Sequence, residues 1–277
     1  MLLVADSGST KTQWIAENRT CYETIGFNPF FHSTESVLEE LSRNERLSAD
    51  KSIFTDIYFY GAGCSSDARK DVIKKALASF FTNAQIHVGH DMEASAFATY
   101  VGRPTISCIL GTGSNSCLFD GKEYHEVVPS LGYIMGDEGS GGFFGKQILI
   151  DFLYHKSPEA TAKLLSEKYQ LTKEKIFDAV YKQPHANVYL ASFAKVLDES
   201  PDREYMNGLK KRGIRQFFEA HVLCYPNYQN YPVSFVGSIA YYLQDTIREV
   251  AKEYNCEIGV IIKEPAERLF EWHLKYA

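Results

Sequence analysis

The sequence lacks every pattern that would give its cysteines a chemical role. Cys21, Cys64, Cys108, Cys117, Cys224 and Cys256 form no C-x-x-C pair and join no histidine at zinc-ligand spacing. Scattered thiols of this kind point to reduced side chains and a cytoplasmic setting. No window approaches the roughly 18 uninterrupted apolar residues of a membrane-spanning helix, so no membrane partner is expected. The opening apolar stretch, Met1 to Ala5, is too short for a signal peptide and meets Asp6 at once. Basic excess is also missing: 29 Lys and Arg stand against 35 Asp and Glu, a net charge of -6. Without a basic stripe there is no support for nucleic-acid binding.

Two glycine-rich fingerprints are absent as well. A Walker P-loop needs G-x-x-x-x-G-K-[ST], but Gly145-Lys146 has Ser140 at the position of the first glycine and Gln147 after the lysine. A dinucleotide fingerprint at Gly111-x-Gly113 needs a third glycine where Ser116 stands, and a strand follows instead of a helix.

What is present is an alternation of strand and helix signals over 277 residues, enough for one large or two medium domains. Leu2–Val4 is an apolar strand running into Asp6-Ser7-Gly8-Ser9-Thr10-Lys11, and Thr12–Ala16 follows immediately, so the polar segment is a tight turn between strands. Arg19–Gly26 closes a three-stranded meander. Helical spacing appears at Val37, Leu38 and Leu41, opened by Ser33 or Thr34. Then come a strand at Ile57–Tyr60, an amphipathic helix over Asp67–Phe81, a strand at Ile86–Val88, and a helix over Met92–Tyr100. This order matches a ribonuclease-H-like unit, a mixed sheet covered by helices.

The order then restarts. Pro104–Leu110 leads to the turn Gly111-Thr112-Gly113-Ser114-Asn115, Ser116–Phe119 returns, Asp120-Gly121 makes a hairpin, and Glu123–Val128 is a third strand. Superposing Gly8 on Gly113 places Ser7 on Thr112 and Ser9 on Ser114, an internal duplication. Ser140–Tyr225 reads as a helical insertion. Val233–Val236, Ile239–Tyr254, Ile258–Ile262 and Pro265–Tyr276 return to alternating strand and helix. The expected architecture is therefore α/β, a duplicated ribonuclease-H-like fold. It comprises an N-terminal domain 1–102 and a C-terminal domain 103–277 with a helical insertion at about 140–225, the two facing across a cleft.

Turns of small residues between strands can aim several backbone N–H groups at a phosphate. Gly8 and Gly113 permit close approach, Ser7, Thr10, Thr112 and Ser114 add hydroxyls, and Lys11 adds a charge. Either turn alone is equally well an ordinary hairpin; two in duplicated positions are not easily accidental. Asp6, beside the first turn, suits Mg2+ held through water or simply an Asx-type turn. Asp91 ends a strand and starts a helix, which fits either a helix N-cap or a side chain lining the ligand crevice at the strand ends. His90 is structural. The acidic, glycine-rich run Gly132–Gly141 can present Asp137 or Glu138 to a polyhydroxyl ligand, with Ser140 capping the helix beyond.

Together, Leu3–Trp14, Gly26–Pro29, Gly61-Ala62-Gly63, His90–Ala94, Leu110–Asn115, Gly132–Ser140 and Val236-Gly237-Ser238 resemble the ASKHA superfamily, the actin-like ATPase fold. Within it they look most like N-acetylglucosamine kinases and BadF/BadG-type ATPases, over nearly the whole chain. The resemblance implies that Thr10 and Thr112, with the backbone around Gly8 and Gly113, hold ATP phosphates, with Asp6 on the Mg2+ side. It implies that Gly237 and Ser238 form the adenosine motif, that Asn28, Asp91, Ser114, Asn115, Gly132 and Asp137 bind the sugar, and that Asp91 is also the catalytic base. A homodimer is suggested by analogy alone. The loop Ser130-Leu131-Gly132-Tyr133 departs from the Gly- and Trp-rich composition of the vertebrate enzymes. That departure leaves open the choice among N-acetylglucosamine, N-acetylmuramic acid, glucosamine and other sugars. Two other functions share the resemblance. An activator ATPase would need cysteines converging on an iron–sulfur cluster, which the scattered thiols do not suggest. A non-catalytic sugar sensor would have no need to keep Asp6, Thr10, Asp91, Thr112 and Asp137.

Overall fold

The structure is a computed structural model that describes residues 1–276. β1 (Leu2–Ser7) is fully buried over Leu3, Val4 and Ala5, as expected of a strand covered on both faces. β2 (Lys11–Ala16) returns antiparallel with Leu3 opposite Ala16 and Ser7 opposite Thr12, and β3 (Cys21–Ile25) completes the meander. On the other side of β1, β4 (Asp56–Gly61) and β5 (Gln85–His90) run parallel to it, giving the order β3-β2-β1-β4-β5. Parallel neighbours need crossovers, and the helices Thr34–Arg43 and Asp67–Phe80 lie in them. Ser33 caps the first of these, its Oγ accepting from the Ser36 N–H at 3.3 Å. Beneath this sheet the Trp14 ring packs against Phe59 and Phe81, with centroids 5.8 and 6.1 Å away.

The second sheet repeats the first. β6 (Thr105–Leu110) pairs antiparallel with β7 (Ser114–Phe119), β7 pairs antiparallel with β8 (Tyr124–His125), and β6 runs parallel to β9 (Val233–Val236), which runs parallel to β10 (Ile258–Ile262). The order β10-β9-β6-β7-β8, counted from its own first strand, has the pairing and directions of the first sheet. The duplication therefore extends from two turns to the whole topology. Asp120 shapes the β7–β8 turn, its Oδ1 accepting from the N–H groups of Lys122 and Glu123, both at 2.8 Å. The expected third strand, Glu123–Val128, shrinks to Tyr124–His125. After His125 the chain leaves β7, and Val127 and Leu131 run on exposed around Pro129, which has no N–H to pair. The helical insertion, including Gly141–Leu153, Lys173–Tyr181 and Arg203–His221, lies between β8 and β9 as expected.

The chain divides into two compact units: Met1–Tyr100 together with the stretch from Glu264 on, and Val101–Lys263. The final helix, Ala266–Tyr276, which the sequence reading grouped with the second half, thus belongs with the first. Its apolar face explains why: Ala266, Leu269 and Phe270 bury against Val4, Ile15, Tyr60 and Ala94 of the first unit. Leu269 N–H donates to the Pro265 carbonyl at 2.8 Å, so the proline sits just ahead of the helix, where its missing N–H costs nothing.

His273 is 3% exposed on that helix, 3.0 Å from the Tyr60 hydroxyl through Nε2. Burial, and to a lesser extent the nearby His87, hold its pKa down at about 4. A histidine depressed when folded leaves stability intact above pH ~6.5 and removes it progressively as pH falls toward 4, because the unfolded chain takes up the proton first. The melting temperature should therefore drop between pH 6.5 and 4.5, and His273→Phe should flatten part of that drop. An equally steep fall in the variant would assign the acid lability to other groups.

Candidate active site

In the first unit, strand register sets the site. Ser7, Gly61 and His90 stand side by side at the carboxyl ends of β1, β4 and β5. With strands about 4.8 Å apart, Asp6 on β1 and Asp91 just after β5 share one sheet edge. The β1–β2 turn closes through the Gly8 N–H on the Lys11 carbonyl at 3.0 Å. Gly26 backs this turn so closely that a Cβ there would drive into the Gly8 carbonyl oxygen, with the Thr10 nitrogen at 2.9 Å. Gly8 and Thr10 remain exposed at the tip. The Ser7 hydroxyl, expected as a phosphate donor, is instead buried in the turn's framework. It accepts from the Phe27 N–H at 2.9 Å and from the Thr12 hydroxyl at 2.8 Å.

Asp91 is the first residue of the helix Asp91–Thr99, and His90 occupies the capping position, its N–H donating to Glu93 Oε1 at 3.0 Å. His90 Nε2 lies 3.1 Å from Asp91 Oδ1. Burial raises the Asp91 carboxyl above the usual range, while His90 and the neighbouring N–H groups of the helix start oppose the rise. Asp6 is pushed up to about 7, by burial first and then by the carboxylates of Asp91 and Glu264, with Lys11 opposing. Lys11 is engaged: its ammonium lies 2.8 Å from Glu264 and 3.8 Å from Glu23. Gln13 also donates to Glu264, at 2.9 Å. Asn28 Oδ1 accepts from the Phe30 N–H at 2.9 Å, and Gly63, at φ +82°, comes against the same oxygen. What Asn28 offers a ligand is therefore its amide donors.

In the second unit, the β6–β7 turn closes through the Gly111 N–H on the Gly113 carbonyl at 3.0 Å. The start of the helix Gly141–Leu153 is stitched to it: Gly141 and Gly142 N–H groups donate to the Gly111 and Thr112 carbonyls at 2.8 and 3.0 Å. Ser140 caps that helix, as expected, through Oγ on the Phe143 N–H at 3.1 Å. Asp137 packs on the turn. Its Oδ1 accepts from the Ser114 N–H at 3.2 Å, and a Cβ on Gly113 would sit 3.0 Å from both its oxygens. The buried Ser114 hydroxyl has no hydrogen-bond partner among the described residues, and Asn115 Oδ1 takes the Ser116 N–H at 2.9 Å. Gly237, at φ +121° between β9 and the helix Ser238–Tyr242, presses on the Leu110 carbonyl. Ser238 is exposed at the helix start. Gly132, at φ +70°, opens the single turn Gly132–Met135, and among the described residues nothing lies within 4 Å of a would-be Cβ.

Of the expected residues, Asp6, Gly8, Thr10, Lys11, Asn28 and Asp91 thus belong to the first unit. Thr112, Gly113, Ser114, Asn115 and Asp137 form a contiguous cluster in the second, with Gly237 against its turn. Sequence reasoning missed Glu264, the partner of Lys11, although the Glu264-Pro265 step marks a helix start. It also missed His221, whose Nε2 lies 3.4 Å from Glu138.

The residues fit a nucleotide and a divalent ion in chemical terms. Small-residue turns leave backbone exposed for phosphate, and Asp6 sits among carboxylates whose mutual repulsion a cation relieves. Among the described residues no three carboxylate, histidine or cysteine side chains converge as a metal cage. Mg2+ at Asp6 would accordingly take its remaining ligands from phosphate and water.

No family model matches the chain, and no curated protein does. Solved structures do. A structural-genomics protein from Porphyromonas gingivalis, assigned as an N-acetylglucosamine kinase, is 35% identical, with 100% of this chain and 99% of that one covered and a TM-score of 0.91. One from Chromobacterium violaceum with the same assignment is 16% identical, with 98% of each chain covered and a TM-score of 0.59. The inorganic polyphosphate/ATP-glucomannokinase of Arthrobacter is 14% identical over 99% of each chain, with a TM-score of 0.52. Duplicated sheets with a small-residue turn in each define the ASKHA class of actin-like ATPase folds. Within that class the chain belongs to the N-acetylglucosamine kinase family represented by the Porphyromonas gingivalis protein.

Proposed function

We propose that this protein is an ATP-dependent kinase that phosphorylates a hydroxyl of N-acetylglucosamine or a close amino-sugar relative. The observation that carries the reading is the 35% identity along the entire chain to the Porphyromonas gingivalis protein. Asp91, at a sheet edge with a raised carboxyl, supports it. A base works best when its pKa approaches the working pH. In this reading Asp91 orients the attacking hydroxyl and accepts its proton, the main task left to the protein in a phosphoryl transfer governed by positioning. Thr10, Thr112 and the backbone of Gly8 and Gly113 hold the phosphates, and Gly237 and Ser238 hold the adenosine. Asn28, Ser114, Asn115, Gly132 and Asp137 bind the sugar. Mg2+, when bound at Asp6, neutralises phosphate charge.

The activator-ATPase alternative finds little support in the donor set, since Cys64, Cys108 and Cys117 are buried and burial holds the Cys108 thiol well above its ordinary pKa. All six cysteines are unbonded, which supports a reducing, cytoplasmic setting. The test is coupled ADP release over a panel of N-acetylglucosamine, N-acetylmuramic acid, glucosamine and glucose. N-acetylglucosamine or another amino sugar should raise ADP release far above the no-sugar rate. Equal rates with and without every sugar would overturn the proposal.

A further inference from the structure

Asp137 adopts a left-handed backbone at φ +59°, and two residues on, Gly139 does so at φ +68°. A non-glycine residue in that region is strained and persists only where its surroundings over-determine it. Several contacts do so here. The Asp137 carboxylate takes the Ser114 N–H, and the Asp137 carbonyl takes the Ser140 N–H at 3.1 Å. Gly139 lies under the helix Arg203–His221, where a Cβ would sit 3.0 Å from Phe217 Cβ and 3.1 Å from the Gly213 carbonyl oxygen. Between these two residues stands Glu138, whose carboxylate lies 3.4 Å from His221 Nε2 at the end of the same helix.

His221 is itself fixed. It is 4% exposed, stacks on Phe217 at 5.1 Å, and its carbonyl accepts from the Ser116 hydroxyl of β7 at 2.7 Å. Nδ1 is buried with no hydrogen-bond partner among the described residues. A lone pair there is cheaper to bury than an unpaired N–H, which favours the neutral ring with its proton on Nε2, donated to Glu138. Burial lowers the His221 pKa, against the opposing pull of Glu138, in keeping with a neutral ring.

We propose that Glu138 and His221 are a positioning pair: they lock the Asp137–Gly139 bend against the helical insertion and so set the affinity for the sugar, while neither touches it. The effect on affinity rests on the sugar-kinase reading above; the locking of the bend does not. Glu138 was singled out above as a candidate ligand group, and the geometry turns it inward instead. Holding a binding carboxylate to within a fraction of an ångström is the work of the residues behind it.

The test compares Glu138→Ala, His221→Phe, His221→Gln and the double variant Glu138→Ala/His221→Phe. Glu138→Ala and His221→Phe should each raise KM for the sugar about tenfold, one order in affinity, with KM for ATP and kcat within about twofold of the wild type. His221→Gln keeps a donor and should recover most of the loss, and the double variant should be no worse than either single one. A merely structural pair would lower the melting temperature and shift both KM values together, and that outcome, or an unchanged sugar KM, overturns the proposal. Hydrogen exchange on the ligand-free proteins provides a readout without turnover. Amides of residues 137–141 should exchange faster in Glu138→Ala, while those of the Gly8 turn stay as in the wild type. A wild-type protein inert toward every sugar would sink the kinase reading alone, and unchanged exchange would sink the lock itself.

Discussion

Asp91→Asn should lower kcat by about 10²–10⁴-fold, the usual contribution of a general base, while nucleotide affinity stays within a factor of two. The amide keeps the size of the carboxylate and can still accept the hydrogen bonds of the helix start. It cannot take a proton from an attacking hydroxyl. His90 holds the cap of this helix, so the substitution does not remove the cap and the fold should survive. The measurement is steady-state ADP release at saturating sugar, paired with calorimetry of a non-hydrolysable ATP analogue. Unchanged turnover would remove Asp91 from the mechanism, whereas loss of nucleotide binding would show that the substitution disturbs more than proton transfer.

Gly237→Ala should have the largest effect on stability of any single methyl group added to the second unit's site. At φ +121° and ψ 161° the backbone is in a region essentially reserved for glycine, which costs an L-residue about 1–3 kcal/mol. The added Cβ would also drive into the carbonyl of Leu110, which is backbone and has little room to yield. The displaced atoms lead straight into Gly111, Thr112 and Gly113. Weaker nucleotide binding, by tenfold or more, should therefore accompany a loss of about 3 kcal/mol or more in denaturant unfolding. Gly208→Ala is the control. It sits on an exposed face of the helix Arg203–His221 with nothing within 4 Å of its would-be Cβ. Alanine there should stabilise by about 0.5–1 kcal/mol through helix propensity.

Much of this was legible from local pattern. Strand-turn-strand alternation exposed both small-residue turns, and repetition of the pattern made the duplicated sheet order deducible. Asp6 and Asp91 stand out as candidates because each lies at a strand end, and in a parallel sheet the strand ends define one edge, whereas Gly237 and Ser238 enter only through the family resemblance. Helix capping at Ser33 and Ser140 and the hairpin turn at Asp120 also followed from residue type. Long-range pairings were not legible. Glu264 reaches Lys11 across 253 positions of sequence, and no periodicity or motif announces such a pair. The Glu138–His221 contact has the same character. Ser7 shows the complementary error: its hydroxyl chemistry was right for a phosphate ligand, but the tight turn that makes it conspicuous also turns it inward. β8 fell short because alternation of residues predicts a strand's face and not where the chain leaves its neighbour, here ahead of Pro129.

The return of the helix Ala266–Tyr276 to the first sheet carries a consequence for the order of assembly. Until that helix emerges from the ribosome, Val4, Ile15, Tyr60 and Ala94 lack the share of their apolar cover that Ala266, Leu269 and Phe270 supply. The segment made first is thus finished last, whereas residues 101–263, contiguous in sequence, can mature without waiting. A nascent chain stalled shortly before residue 266 would offer chaperones an incompletely covered amino-terminal sheet.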